Sequence, residues 1–186
     1  TDAITDAAVD FIKRNTRSTG SGQASRPFFA YVSHAAVHAP HMVKPERLEA
    51  ANGDVMTALI AEIDNSTGRI LQTLRDLGID KNTLVFFTND NGGAGKTSSG
   101  PLRGAKFGPK YEGHMRVATL AWWPSKIPAG SVSPEIMTTT DLFPTIAKLA
   151  GQQVPNDRIV DGEDIGDILL GKPGAKSPHR TLFYEK

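Results

Sequence analysis

The sequence predicts an α/β protein with a mainly parallel sheet flanked by helices. Two apolar runs, Pro27–Val32 (PFFAYV) and Leu84–Thr88 (LVFFT), have the length and β-rich composition of buried strands. Between them Val55, Leu59, Ile63, Ile70, Leu74 and Leu77 recur at helical steps over about Asp54 to Leu77. Strand, helix and strand make a βαβ unit, whose strands should run parallel through a right-handed crossover.

The other elements follow in order. Ile4, Ala8, Phe11 and Ile12 space an amphipathic helix over Thr1–Arg14. Asn15–Arg26 (NTRSTGSGQASR) reads as a flexible polar loop. A His-rich loop, Ser33–His41, follows the first strand. Gly78 is a suitable stop for the long helix, and Ile79–Asn82 turns the chain into the Leu84 strand. Residues 92–110, rich in Gly, Ser and Lys, form a long exposed loop of the kind that often carries function. Val117–Trp123 reads as a strand ended by Pro124. Asp141–Ala150 reads as a helix with Asp141 at its N-cap and Gly151 after it. Asp161–Leu170 suggests one or two helical turns, and Thr181–Tyr184 a last strand. With 186 residues and no repeat, a single α/β domain is expected. The chain opens on Thr1 rather than Met, so it looks processed, truncated or excised from something longer.

Charge and composition narrow the function. Lys and Arg number 21 against 20 Asp and Glu, for a net charge of +1. The basic residues are scattered among acids, which argues against a nucleic-acid partner. The absence of cysteine excludes disulfides, thiolate metal sites and a cysteine nucleophile within the chain. No apolar run reaches the roughly 18–20 residues of a membrane span, and the first residues lack a charged-then-apolar leader pattern.

The richest chemistry lies at Asn89-Asp90-Asn91-Gly92-Gly93. This cluster is either a plain turn, since these residues favour turns, or a ligand site past the carboxyl end of a strand. Asp90 and Asn91 offer hard oxygens suited to Ca²⁺ or Mg²⁺. His38 follows the first strand, and Lys106 stands in the long loop before Tyr111-Glu112-Gly113. If the two strands are parallel neighbours, a metal site, an imidazole and an ammonium would share one cleft. Such a set suits a tetrahedral anionic ester. Each member also has a plain alternative: His38 as a satisfied half-buried histidine, Lys106 as a surface lysine, Glu112 and Arg116 as an ion pair pinning the loop. His34, His38 and His41 could form a zinc site by residue type, although Pro40 and the preceding strand argue against a helix there.

Several stretches, in order, resemble the second half of the catalytic domain of formylglycine-dependent, arylsulfatase-like sulfatases in the alkaline phosphatase superfamily. They are Pro27–Pro40 (PFFAYVSHAAVHAP), Leu84–Gly92 (LVFFTNDNG), Leu102–Arg116 (LRGAKFGPKYEGHMR), Ala121–Pro124 (AWWP) and Thr140–Gly151 (TDLFPTIAKLAG). Asp161-Gly162 and Ser177–Tyr184 fit the later part, so the resemblance covers nearly the whole chain. It implies hydrolysis of sulfate esters of small molecules or glycans, with Asp90 and Asn91 as ligands of Ca²⁺ (or Mg²⁺). By the same resemblance His38 contacts the sulfate or leaving-group oxygen, Lys106 bridges sulfate and leaving oxygen, and Asp141 is structural.

The chain also departs from the family pattern. Four residues rather than three separate Lys106 from Tyr111, so Lys110 is an alternative to Lys106. His114 stands where a second Gly is usual, and could face the substrate or solvent. No Cys/Ser-x-Pro-x-Arg run occurs, so formylglycine is expected only in an N-terminal part, and this chain alone should not turn over sulfate esters. Periplasmic or secreted location is family habit, and the sequence leaves the compartment unknown. Two other readings stay open: a phosphodiesterase or phosphonate hydrolase of the same superfamily, and a non-catalytic half-domain that self-associates through an exposed sheet edge.

Overall fold

The computed structural model describes residues 1–16, 27–95 and 97–183. Packing divides the chain into two compact units, Thr1–Thr83 with Asn91–Arg116, and Leu84–Asp90 with Val117–Lys186.

The first unit is helical. It comprises α1 (Asp2–Thr16), α2 (Pro45–Ala50), α3 (Val55–Asp76) and the single turn α4 (Glu112–Met115). Its core is the seam between α1 and α3. Thr5, Ala8, Val9 and Ile12 on one helix, and Ala58, Leu59, Ser66 and Leu74 on the other, are buried. Two hydroxyls sit in this apolar seam, and Thr5 Oγ1 and Ser66 Oγ satisfy each other at 2.7 Å. Asp54 caps α3 by accepting from the Thr57 amide at 2.6 Å. The far end closes as a Schellman motif, with Gly78 N–H bonded to Arg75 O and Ile79 N–H to Leu74 O. That geometry needs the φ of +65° that Gly78 supplies. Asp2 pairs with Lys44 (2.6 Å) and Arg47 (3.1 Å), and Arg47 reaches Glu62 (3.6 Å), tying α2 to both long helices.

The second unit holds β1 (Val85–Thr88), β2 (Thr119–Trp122), α5 (Leu142–Leu149) and α6 (Gly166–Leu169). The strands pair antiparallel, Val85 opposite Trp122 and Thr88 opposite Thr119. Ile165, Ile168 and Leu169 form a buried cluster against Phe86, Ala121, Met137 and Ala175. Its polar centre is Asp141, which has no exposed surface. That carboxylate accepts from the Thr138 amide (2.7 Å), the Glu163 amide (2.9 Å) and His179 Nε2 (2.8 Å). Beside it, Thr145 Oγ1 accepts from the Ile165 amide at 3.0 Å.

Several expectations need correction. The run Phe28–Val32 forms no strand, so the expected parallel βαβ unit does not occur among the described residues; β1 pairs antiparallel to β2 instead. A strand needs a neighbour to take its backbone bonds, and among the described residues this run has none. Phe28 packs edge-on against Phe11 of α1 (5.9 Å), whereas Phe29 and Tyr31 are exposed. Residues 181–183 form no strand either, and Tyr184 lies outside the described residues. Asn15 and Thr16 complete α1, while the remainder of the expected 15–26 loop, from 17 to 26, lies outside the described residues. The late helix shortens to Gly166–Leu169. Asp141 precedes α5 as expected but makes no side-chain bond to that helix. It closes a capping box with Thr138 on the preceding 3₁₀ turn, Thr139–Asp141.

Burial pushes the Asp141 carboxyl up, but the hydrogen bonds from Glu163, Thr138 and His179 outweigh it and hold the group below its ordinary value. A depressed folded-state carboxyl adds stability that is complete above the unfolded value, about 3.9, and is lost as pH falls through the folded value. Asp141→Ala strands three donors and should lower unfolding free energy by about 3 kcal/mol at pH 7, read from urea midpoints. Below pH 4 that gap between wild type and variant should shrink.

Candidate active site

Three segments of the first unit cross at glycines. The Gly92 amide donates to His114 O at 2.9 Å and the Gly113 amide to Arg103 O at 2.8 Å. The Ser99 hydroxyl sits at the crossing, accepting from the Gly93 amide (3.2 Å) and donating to Gly113 O (2.7 Å). There is no room for a side chain. A Cβ on Gly92 would lie 1.9 Å from Gly113 O, and one on Gly113 would lie 2.3–2.8 Å from the carbonyls of Gly104, Arg103 and Leu102. At Gly104, with φ +89°, an added Cβ would lie 3.0 Å from Tyr111 Cβ. Arg103 stacks its guanidinium 3.9 Å over the Tyr111 ring.

This crossing holds several of the expected residues. Asn91 leads directly into it, and its Nδ2 donates to Gly92 O at 2.9 Å. That leaves Oδ1, a hard oxygen, uncommitted among the described residues. The Lys106 amide donates to Gly93 O at 2.8 Å, and its half-buried side chain carries Nζ to 5.1 Å from the Phe107 ring centre. Lys110 is exposed and has no such tie. The His114 ring bonds through Nδ1 to Gly108 O at 3.1 Å. Glu112 and Arg116 form the expected exposed pair at 3.7 Å.

The remaining candidates are placed separately. His38 belongs to the first unit, on an exposed turn closed by its amide to Ala35 O at 2.9 Å. Its Nδ1 meets Ala39 O at 2.8 Å. A carbonyl only accepts, so Nδ1 carries a proton and Nε2 is the ring atom left for other work. Asp90 is exposed at the end of the β1 segment, and the boundary between the two units falls between it and Asn91. Asp90 and Asn91 fit a hard cation in kind. They fall short in number, because Ca²⁺ takes about six to eight oxygens, and no group of three or more potential ligand side chains gathers among the described residues. The histidines form no zinc cluster: His34 turns to Ser66, Nε2 to Oγ 3.0 Å, and burial pushes its imidazole below the ordinary value. Two surface hollows in the second unit, one beside Lys148 and Asp164 and one beside Phe86 and Ile168, are lined by none of His38, Asp90, Asn91 or Lys106.

Sequence reasoning missed Ser99 and His179. The available signal lies in the glycines at 92, 93, 104 and 113, a residue type suited to close backbone approach, but nothing in the string singles out which of several serines enters the crossing.

Solved structures share this fold. The PsFucS1 sulfatase from Pseudoalteromonas sp. superposes with a TM-score of 0.80 at 29% identity, over 95% of this chain and 35% of its own. Ps i-CgsB, solved in complex with k-i-k-neocarrahexaose, gives 0.83 at 28%, over 96% and 39%. These neighbours place the chain with sulfatases of the alkaline phosphatase-like fold. The sulfatase family model matches residues 1–152, and the chain belongs to the sulfatase family. It is 41% identical over 184 residues to the N-acetylgalactosamine-6-sulfatase of Canis lupus familiaris, covering 95% of this chain and 33% of that one. It is 35% identical over 195 residues to the steryl-sulfatase of Mus musculus, covering 97% and 29%. The chain thus spans about a third of the length of these curated relatives.

Gly113→Ala should force the crossing apart and cost about 2–3 kcal/mol or more, with loss of any function that depends on it. Gly68→Ala, on α3 with nothing within 4 Å of the new methyl, should instead stabilise by about 0.5–1 kcal/mol. Thermal melting of the two variants checks the contrast.

Proposed function

We propose that this chain supplies part of the active site of a sulfuric ester hydrolase acting on a sulfated glycan or other sulfated small molecule. Family membership supports the reaction class over the phosphodiester alternative. The observation that carries the site is the Lys106 amide bonded to Gly93 O, which sets the lysine's turn against the loop that Asn91 opens.

On this reading Lys106 lays its ammonium against the sulfate oxygens. Its main chain is already fixed, so little reorganisation accompanies the charge developing in the transition state. His38, with Nδ1 committed to Ala39 O, turns Nε2 toward the leaving oxygen and, when protonated there, donates to it. Asp90 and Asn91 contribute two oxygens to a Ca²⁺ (or Mg²⁺) shell completed from outside this chain. When bound, the cation supplies fixed positive charge beside the ester. The nucleophile, a formylglycine, is also assigned outside this chain. No helix among the described residues is long and apolar enough to cross a membrane, and we place the enzyme in the periplasm or outside the cell by family habit. The β1–β2 pair leaves its outer edges unpaired among the described residues. These edges take further strands of the complete sheet or of a second copy.

In the full-length natural protein, Lys106→Ala and His38→Ala should each lower kcat/KM on a sulfate ester about 10²–10³-fold, or about 3–4 kcal/mol. Lys110→Ala should leave it within about threefold. Near-normal turnover in both of the first two would sink the assignment. Calorimetric titration with Ca²⁺ should show binding weakened at least about tenfold, or 1.4 kcal/mol, in Asp90→Ala and in Asn91→Ala. A chelator should lower the melting temperature of wild type more than that of the double variant.

A further inference from the structure

One residue is bonded to both segments of the crossing that carry candidate groups. The carbonyl of His114 takes the Gly92 amide, one residue beyond Asn91, at 2.9 Å. Its ring bonds to Gly108 O, and the Gly108 amide returns to Ala105 O at 3.2 Å, closing the turn that contains Lys106. The backbone of His114 is thus fixed beside the Asn91 loop, and its ring beside the turn that contains Lys106.

The ring's hydrogen bond also fixes what it can offer. Gly108 O has no proton to give, so His114 Nδ1 is the donor. In the neutral ring Nε2 then holds a lone pair, and no partner meets it among the described residues. His114 is half-buried. Anion recognition in this segment already has carriers: residues 97–116 hold Arg103, Lys106, Lys110 and Arg116 against the single acid Glu112. Ammonium and guanidinium groups only donate, so an acceptor for a substrate hydroxyl must come from another side chain, and His114 Nε2 is one.

We propose that His114 is a specificity-determining residue whose Nε2 accepts a hydrogen bond from a hydroxyl of the substrate next to its sulfate ester. This rests on the sulfatase reading above and narrows it to hydroxyl-bearing, carbohydrate-type esters. A half-exposed neutral hydrogen bond is worth about 1 kcal/mol, so the expected discrimination is about five- to tenfold.

The test uses the full-length natural protein, its best sulfated monosaccharide substrate, and analogues deoxygenated at each carbon neighbouring the ester. Wild type should prefer the hydroxylated substrate over one deoxy analogue by about five- to tenfold in kcat/KM. His114→Phe, which keeps the ring's bulk, should erase that preference by losing only the hydroxylated substrate. His114→Gln, which places an amide oxygen near the former Nε2, should restore part of it. An unchanged preference in His114→Phe, or an equal loss on both substrates with a lower melting temperature, would overturn the inference while leaving the enzyme a sulfatase. A wild type that hydrolyses no sulfate ester would overturn the underlying reading, and this one with it.

Discussion

The candidate site depends on one steric fact: at Gly92 and Gly113 two main chains approach more closely than any side chain permits. Where an added carbon would sit 1.9 Å from a carbonyl oxygen, the amides instead bond directly across the gap. Gly92 to His114 and Gly113 to Arg103 are main-chain bonds. The relative placement of the Asn91 loop, the Lys106 turn and His114 is therefore written in backbone geometry. The Ser99 hydroxyl completes the junction by serving as acceptor to one strand of chain and donor to another. A rigid support of this kind suits electrostatic catalysis, in which charges must be in place before the reaction begins.

The second unit solves a similar problem with a side chain. Its loops converge on the Asp141 carboxylate, which gathers an amide from each of two loops and the imidazole of a third. Gly162 permits the approach, since a Cβ there would lie 2.0 Å from Thr140 O. A buried carboxylate with this many donors is strongly directional, and it compensates for how little regular secondary structure the unit contains.

Helical periodicity was the most legible part of the string. The apolar spacing of α1 and α3 and the Gly78 stop declare themselves locally, because a helix satisfies its own backbone bonds. Strands do not. The run PFFAYV has strand composition, yet whether it becomes a strand depends on a partner, and composition carries no information about partners. For the same reason the antiparallel partner of the Leu84 run is not legible: it lies 31 positions on from Thr88, at Thr119, beyond a long irregular segment. Among the candidate residues, Lys106 and Asn91 stand out by type and motif. The meeting of their segments was not, because it runs through the amide and carbonyl groups that every residue possesses. The role of His179 was hidden too, since it lies 38 positions from Asp141.

A junction made of main-chain bonds has an evolutionary corollary. The side chains of Arg103, Phe107, Lys110 and Tyr111 project from the segment without forming its hydrogen-bonded crossing, and all four are exposed. Drift at these positions can reshape what the surface recognises while the scaffold beneath stays the same. Change at the glycines is closed off. A lineage built on this junction can vary its exposed surface by substitution alone, without first passing through a misfolded ancestor.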